Sequence, residues 1–170
     1  MNPNFSNNIN TDIQFHCAWD KRSSLVFNPA LIKELYELDF QNGAYPWGLA
    51  AWQDFLQSNE YYFLAFLGTA RHLWGLALFM ALPGEITAHL LKIVVHNEQR
   101  KKGWGERLFK ESTAHLKTLG FSSIYLEVGA ENHPACQLYR KMGLQELRRV
   151  PRFYSDGKDA LIMSTGLPAL

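Results

Sequence analysis

Residues 88–120 read AHLLKIVVHNEQRKKGWGERLFKESTAHLKTLG. An apolar run, a basic loop carrying two glycines and an amphipathic stretch follow one another, and that order decides the fold. Ala88–Val95 predicts a strand. Gly103–Leu119 predicts a long helix, with Trp104, Leu108, Leu116 and Leu119 on one face and Glu106 and Lys110 as an i,i+4 pair on another. Gly120 suits the left-handed cap that ends such a helix.

Toward the C-terminus, Ser123–Val128 reads as a strand, Pro134–Met142 as a helix, and Gly143 as a stop. Leu147–Phe153 and Ala160–Thr165 read as strands around an Asp156-Gly157 turn. Toward the N-terminus, Ile13–Ala18 predicts a first strand, Pro29–Asp39 a helix opened by proline, and Trp47–Leu56 a second helix after the turn Asn42–Pro46. Tyr61–Leu67 and Leu73–Met80 read as a hairpin that Pro83-Gly84 separates from the next strand. The pattern β-α-α-β-β-β-α-β-α-β-β predicts one α/β domain around a mixed sheet. The polar, Asn-rich residues 1–11 read as a flexible tail and 12–170 as the domain.

Bulk properties narrow the function. A chain of 170 residues suits one domain with a real core. Its 17 Lys plus Arg against 16 Asp plus Glu lack the basic excess of a nucleic-acid binder. The N-terminal segment resembles no signal peptide and no stretch predicts a membrane span, so a cytoplasmic location and no membrane partner are expected. Cys17 and Cys136 have no C-x-x-C partner and read as packing residues. The six histidines show no H-E-x-x-H or comparable spacing, so no metal is expected.

The loop Gln99–Gly105 admits two readings. Glycines at 103 and 105 let backbone approach a ligand, and unpaired amides at a helix start attract anions, with Arg100, Lys101 and Lys102 adding charge. A basic surface loop with a glycine turn fits equally well. A P-loop is excluded because Glu106-Arg107 follows Gly105, and a dinucleotide fingerprint because Leu108 takes the third small position.

Arg100-x-x-Gly103-x-Gly105, between strand and helix, resembles the coenzyme A loop of the GCN-five-related N-acetyltransferases (GNAT). The resemblance extends through Leu126-Glu127-Val128, Asn132-x-x-Ala135, Leu138-Tyr139-x-x-Met142-Gly143, Arg148-Arg149 to Tyr154, Asp156-Gly157, Asp159-Ala160 and, upstream, Tyr45-Pro46-Trp47. It covers roughly residues 40–165 and is similar to the RimI-type branch, the ribosomal-protein-alanine N-acetyltransferases. It implies a single-domain, mostly antiparallel mixed sheet flanked by helices, with acetyl-CoA as cosubstrate and no metal. The main chain of Ile93, Val94 and Val95 would pair with the pantetheine arm. Arg100 and the amides of Lys101, Lys102, Gly103, Trp104, Gly105 and Glu106 would serve the pyrophosphate, and Asn132 would contact the cofactor near its thiol end. Glu127 would be the general base and Tyr139 the general acid, while Tyr45, Trp47, Arg149 and Tyr154 would surround the acceptor, a protein N-terminus.

The chemistry fits those roles. An acceptor α-amine, with a pKa of about 7.7–8.0, must lose a proton to attack a thioester, and a carboxylate can take it. The departing thiolate needs a proton that a phenol can give. Apart from the resemblance, a strand Glu reads as solvated and a helical Tyr as core with a wet tip. The aromatic turn at Tyr45–Trp47 reads equally as a lid over the core. The sequence departs from the branch at Gly129, which stands where arginine is usual, at Phe153, which replaces one of two tyrosines, and at Leu144, which replaces phenylalanine. Loss of the cation at 129 bears on acceptor preference. The remaining readings are acetyl transfer to a small amine or lysine side chain, and a non-catalytic coenzyme A-binding sensor.

Overall fold

The computed structural model describes residues 14–19, 29–58, 61–69 and 72–166. The tail predicted at 1–11 and the side chain of Cys17 lie outside the described residues. Among the described residues, seven strands form one sheet in the order β1-β2-β3-β4-β5-β7-β6. They are β1 (Gln14–Trp19), β2 (Tyr62–Thr69), β3 (His72–Met80), β4 (Thr87–Val95), β5 (Ser123–Gly129), β6 (Gln145–Val150) and β7 (Ala160–Gly166). Every pairing is antiparallel except β4 with β5, which is parallel. Four α-helices among the described residues flank the sheet: α1 (Pro29–Asn42), α2 (Leu49–Ser58), α3 (Trp104–Thr118) and α4 (His133–Lys141). The predicted fold class and element order both hold.

Strand alternation splits the core into two layers. On one face Phe63, Ala77, Phe79, Leu90, Leu126 and Val128 pack with Leu108, Phe109 and Leu116 of α3 and Tyr139 of α4. On the other, Leu64, Leu76, Leu78 and Val94 pack with Leu35 and Leu38 of α1 and Trp52 and Leu56 of α2.

Several predicted boundaries move. Helix α1 runs three residues past Asp39, because Asn42 Nδ2 donates back to the Leu38 carbonyl at 3.0 Å. Helix α2 begins at Leu49 rather than Trp47, and Gly103 is the N-cap of α3 at φ 82° rather than its first turn. Leu119 is 41% exposed and caps α3 instead of joining its apolar face. Strand β6 starts at Gln145 and ends at Val150, since Pro151 has no N–H to continue a ladder, leaving Phe153 in the turn.

Two irregularities of β4 open the sheet next to β5. Leu78 pairs with Lys92 and Phe79 with Leu90, so Leu91 is an extra residue, a bulge. Pairing with β5 stops at Leu90 opposite Leu126, although both strands continue, and a cleft opens between Lys92–Val95 and Glu127–Gly129.

Candidate active site

The cleft presents main chain on its β4 side. The His96 amide donates to the Trp74 carbonyl on β3 at 2.8 Å. Alternation along the antiparallel ladder then turns the peptide groups of Val94 toward β3, and those of Ile93 and Val95 into the cleft. Val94 places its side chain in the α1–α2 layer.

At the end of the cleft, Lys101 and Gly103 both take left-handed backbone, at φ 60° and 82°. No amide from Lys101 to Glu106 donates to an acceptor among the described residues, and Gly103 gives α3 no side-chain cap. This run of unpaired donors at the positive end of a fifteen-residue helix suits a phosphate-bearing group. The side chains of Arg100, Lys102, Trp104 and Glu106 are otherwise engaged. Arg100 turns back, donating from Nε to the Val95 carbonyl at 3.1 Å and from Nη2 to the Asn42 carbonyl. Lys102 Nζ donates to Gln99 Oε1 at 3.2 Å. Trp104 packs against the core. The Glu106 carboxylate accepts from Lys110 at 2.8 Å and from Lys141, and those two bonds hold its pKa at about 2.

The sequence-predicted acid and base stand on opposite faces of the sheet. Leu126 and Val128 point into the layer that buries Tyr139, so Glu127, between them, points the other way. Tyr139 is 5% exposed, and burial raises its phenol well above the usual tyrosine range, so it stays protonated. Between the two faces lies the cleft where β4 and β5 no longer pair.

Glu127 has a partner that the sequence did not suggest. His89 on β4 lies opposite Tyr125 on β5, their rings stacked at 4.1 Å, and His89 Nε2 sits 2.6 Å from Glu127 Oε2. With the carboxylate ionised, Nε2 carries the proton and donates.

Gly129 lies on the same face as Glu127, under a pair of aromatic rings. Tyr45, from the α1–α2 turn, stacks on Tyr154, from the β6–β7 turn, at 3.9 Å and 4°. A Cβ at 129 would lie 3.8 Å from both rings, so any longer side chain would enter the space they fill. Burial first, then Tyr45 and Glu127, push Tyr154 up to about 12. The Tyr45 hydroxyl reaches Asp156 Oδ2 at 3.5 Å. Trp47 packs on the α1–α2 core, tilted against Trp52 and Phe55. Arg149 pairs with Asp159 of its own hairpin at 2.8 Å. Asn132 caps α4 by accepting from the Ala135 amide. Cys136 is buried, its thiol pushed up by desolvation, in keeping with a packing role.

Residues 30–144 match the acetyltransferase (GNAT) family, more than half of the chain. The chain belongs to that family. It is 33% identical over 96 residues to an N-alpha-acetyltransferase of Sulfurisphaera tokodaii, an alignment covering 55% of this chain and 58% of that protein. The first archaeal relatives are thus matched over somewhat under three fifths of their length. A Bacillus subtilis protein provisionally named ribosomal protein bS18-alanine N-acetyltransferase is 30% identical over 78% of this chain and 87% of its own. The crystal structure of the ribosomal-protein-S18-alanine N-acetyltransferase from Escherichia coli superposes with a TM-score of 0.76 at 21% identity, covering 92% of this chain and 96% of that one. Arabidopsis thaliana NAA60, solved with acetyl-CoA, superposes at 0.74 with 18% identity, over 91% and 98% of the two chains. These superpositions establish the GNAT fold. No helix among the described residues is long and apolar enough to cross a membrane.

Proposed function

We propose that this GNAT domain is an N-acetyltransferase that moves the acetyl group of acetyl-CoA to the α-amine of a protein N-terminus, an alanine such as that of a ribosomal protein, in the cytoplasm. The observation that carries the reading is the cleft beyond Leu90 and Leu126, with Glu127 on one of its faces and the buried Tyr139 on the other. The name of the Bacillus subtilis relative, matched over 87% of its own length, points to the same acceptor class.

The cosubstrate, when bound, supplies a thioester carbonyl. Peptide groups of Ile93 and Val95 would hold the pantetheine arm as a neighbouring strand does. The amides of Lys101 to Glu106 would take the pyrophosphate, and Asn132 would stand near the thiol end. Arg100 shapes the loop by binding two carbonyls rather than offering its charge.

On the acceptor side, Glu127 accepts the amine's proton, oriented by His89. Tyr139 delivers a proton to the departing sulfur from the opposite face. Direct attack fits this arrangement, because base and acid serve the two sides of one carbonyl and no side chain need be acylated. Cys136, buried with a raised pKa, is unsuited to act as a nucleophile. Tyr45 and Tyr154 would line the acceptor's path, with Trp47 beneath them and Arg149 at the hairpin edge.

The test is a thiol-release assay with an Ala-starting peptide, its N-blocked form, a lysine-bearing peptide with a blocked N-terminus, and polyamines. Turnover of the free Ala peptide alone is expected. Turnover confined to polyamines or lysine overturns the acceptor assignment, and no thiol release with any amine overturns the enzymatic reading.

A further inference from the structure

Beneath the α1–α2 turn lies a buried ion pair that the two proton transfers do not use. Asp39 of α1 has no exposed surface, and Lys92 of β4 is 8% exposed at its side chain. Lys92 Nζ lies 3.0 Å from Asp39 Oδ2 and 3.1 Å from Oδ1. The same carboxylate accepts from the Trp47 amide at 2.9 Å and from Trp52 Nε1 at 3.1 Å. Lys92 donates a further bond to the Tyr45 carbonyl at 2.7 Å, and its ammonium sits 4.9 Å from the Trp47 ring. The Gly43 amide closes the turn on the Asp39 carbonyl at 2.6 Å, and a Cβ at 43 would strike Asp39 Oδ1. One charge thus holds the segment Tyr45-Pro46-Trp47 at its first carbonyl, and the other at its last amide.

The bulge puts Lys92 there. Unbroken alternation from Leu90 through Leu91 would place residue 92 on the face of Leu90, in the α3 layer. The extra residue turns it instead to the face that carries His89 and Glu127. Stability is a poor reason to bury such a pair, because desolvating two charges offsets most of their attraction. Desolvation outweighs Asp39 at the Lys92 ammonium, whose pKa is lowered despite the adjacent carboxylate.

We propose that Asp39 and Lys92 are positioning residues for the acceptor: together they fix the main chain of Tyr45–Trp47, so that Tyr45 seats on Tyr154 over Gly129 beside Glu127. The inference rests on the reading that this turn lines the acceptor's path. It predicts a separation between the two substrates, since both side chains bond to the acceptor turn, whereas Ile93, Val95 and the amides of Lys101–Glu106 would serve the cosubstrate through main chain that the substitutions leave in place.

The experiment compares the wild type with the double variant Asp39→Asn and Lys92→Met, which removes both charges together and leaves no buried ion unpaired. The acceptor is the Ala-starting peptide, or whichever of the free Ala peptide, the lysine-bearing peptide and the polyamines the wild type turns over best. Acceptor KM should rise by about tenfold or more while the acetyl-CoA KM stays within about twofold, as small displacements of a positioning group can cost up to 10²-fold. If the double variant does not fold, Lys92→Arg serves, since it keeps a cation beside Asp39 while its longer planar fork displaces the Tyr45 carbonyl; it should raise acceptor KM by about threefold or more. An unchanged acceptor KM in an active, folded variant, or an equal rise in both KM values, overturns the inference alone. A wild type that releases thiol with no amine overturns the acceptor reading and this inference with it.

Discussion

His89 and Glu127 meet side chain to side chain, Nε2 to Oε2 at 2.6 Å, across the last paired step of β4 and β5. Each comes from one of the two strands that part just beyond. The bond therefore fixes the Glu127 carboxylate at the edge of the cleft and occupies one oxygen, leaving the other for an incoming proton.

Glu127→Gln should lower kcat by about 10²-fold, since the amide keeps the shape but cannot take a proton. His89→Ala should cost less, about tenfold, because orientation is lost while the base remains. Coenzyme A affinity, measured by calorimetry, should stay within about twofold in both. A near-normal kcat for the Gln variant would remove Glu127 from the proton path.

Tyr139→Phe deletes one hydroxyl from a packed site and should leave the fold intact. It should lower kcat by about 10²-fold with little change in either KM, the mark of a group that acts in the transition state. Rapid-quench measurement of the acetyl-transfer step would separate that loss from slowed product release.

Alkaline pH should destabilise the protein through its buried phenols. Tyr139 and Tyr154 both have folded-state values raised above an unfolded value near about 10. Their contribution is complete below that unfolded value. It is lost as pH rises, through about 12 for Tyr154, because the folded chain then binds more protons than the unfolded one. Thermal melts from about pH 8 to about pH 11 should show Tm falling at the alkaline end, less steeply in Tyr154→Phe. Parallel slopes for the two proteins would contradict this.

Gly103→Ala places a Cβ on backbone at φ 82°. The strain should cost about 1 kcal/mol, a Tm loss of a few degrees, while the loop shift should raise the acetyl-CoA KM by about tenfold. Acceptor KM should not move. An acetyl-CoA KM that also stays put would show that the loop's left-handed geometry is dispensable for binding.

Most of the fold is legible in the sequence because strong periodicities and glycine stops carry it. Ala88–Val95 and α3 are apolar or amphipathic enough to declare themselves. Strand β6 is read with shifted bounds, Leu147–Phe153 for Gln145–Val150, because its residues from Gln145 to Arg149 are all exposed at the sheet edge, with no alternation to follow. The site is legible unevenly. Glu127 and Tyr139 come from the resemblance, and only the strand register shows that they face opposite ways. Spacing tests on the histidines ask about metals, which is the wrong question for His89, whose partner lies 38 positions away. Asp39 and Lys92, 53 positions apart, are invisible for the same reason, and nothing in local sequence marks the bulge that brings them together. Gly129, conspicuous in the sequence as a missing cation, proves to be space occupied by two tyrosine rings.

The cleft and the loop at its end offer peptide groups, and peptide groups are common to almost every residue. A binding surface made of them tolerates drift: most substitutions in β4 or at the start of α3 change what packs behind the backbone, not what the backbone presents. Such tolerance is compatible with a shared fold at only 21% identity to the Escherichia coli structure. On the proposed reading, selection for a new acceptor could then act on Tyr45, Gly129 and Tyr154 without disturbing the half of the molecule that would hold the donor.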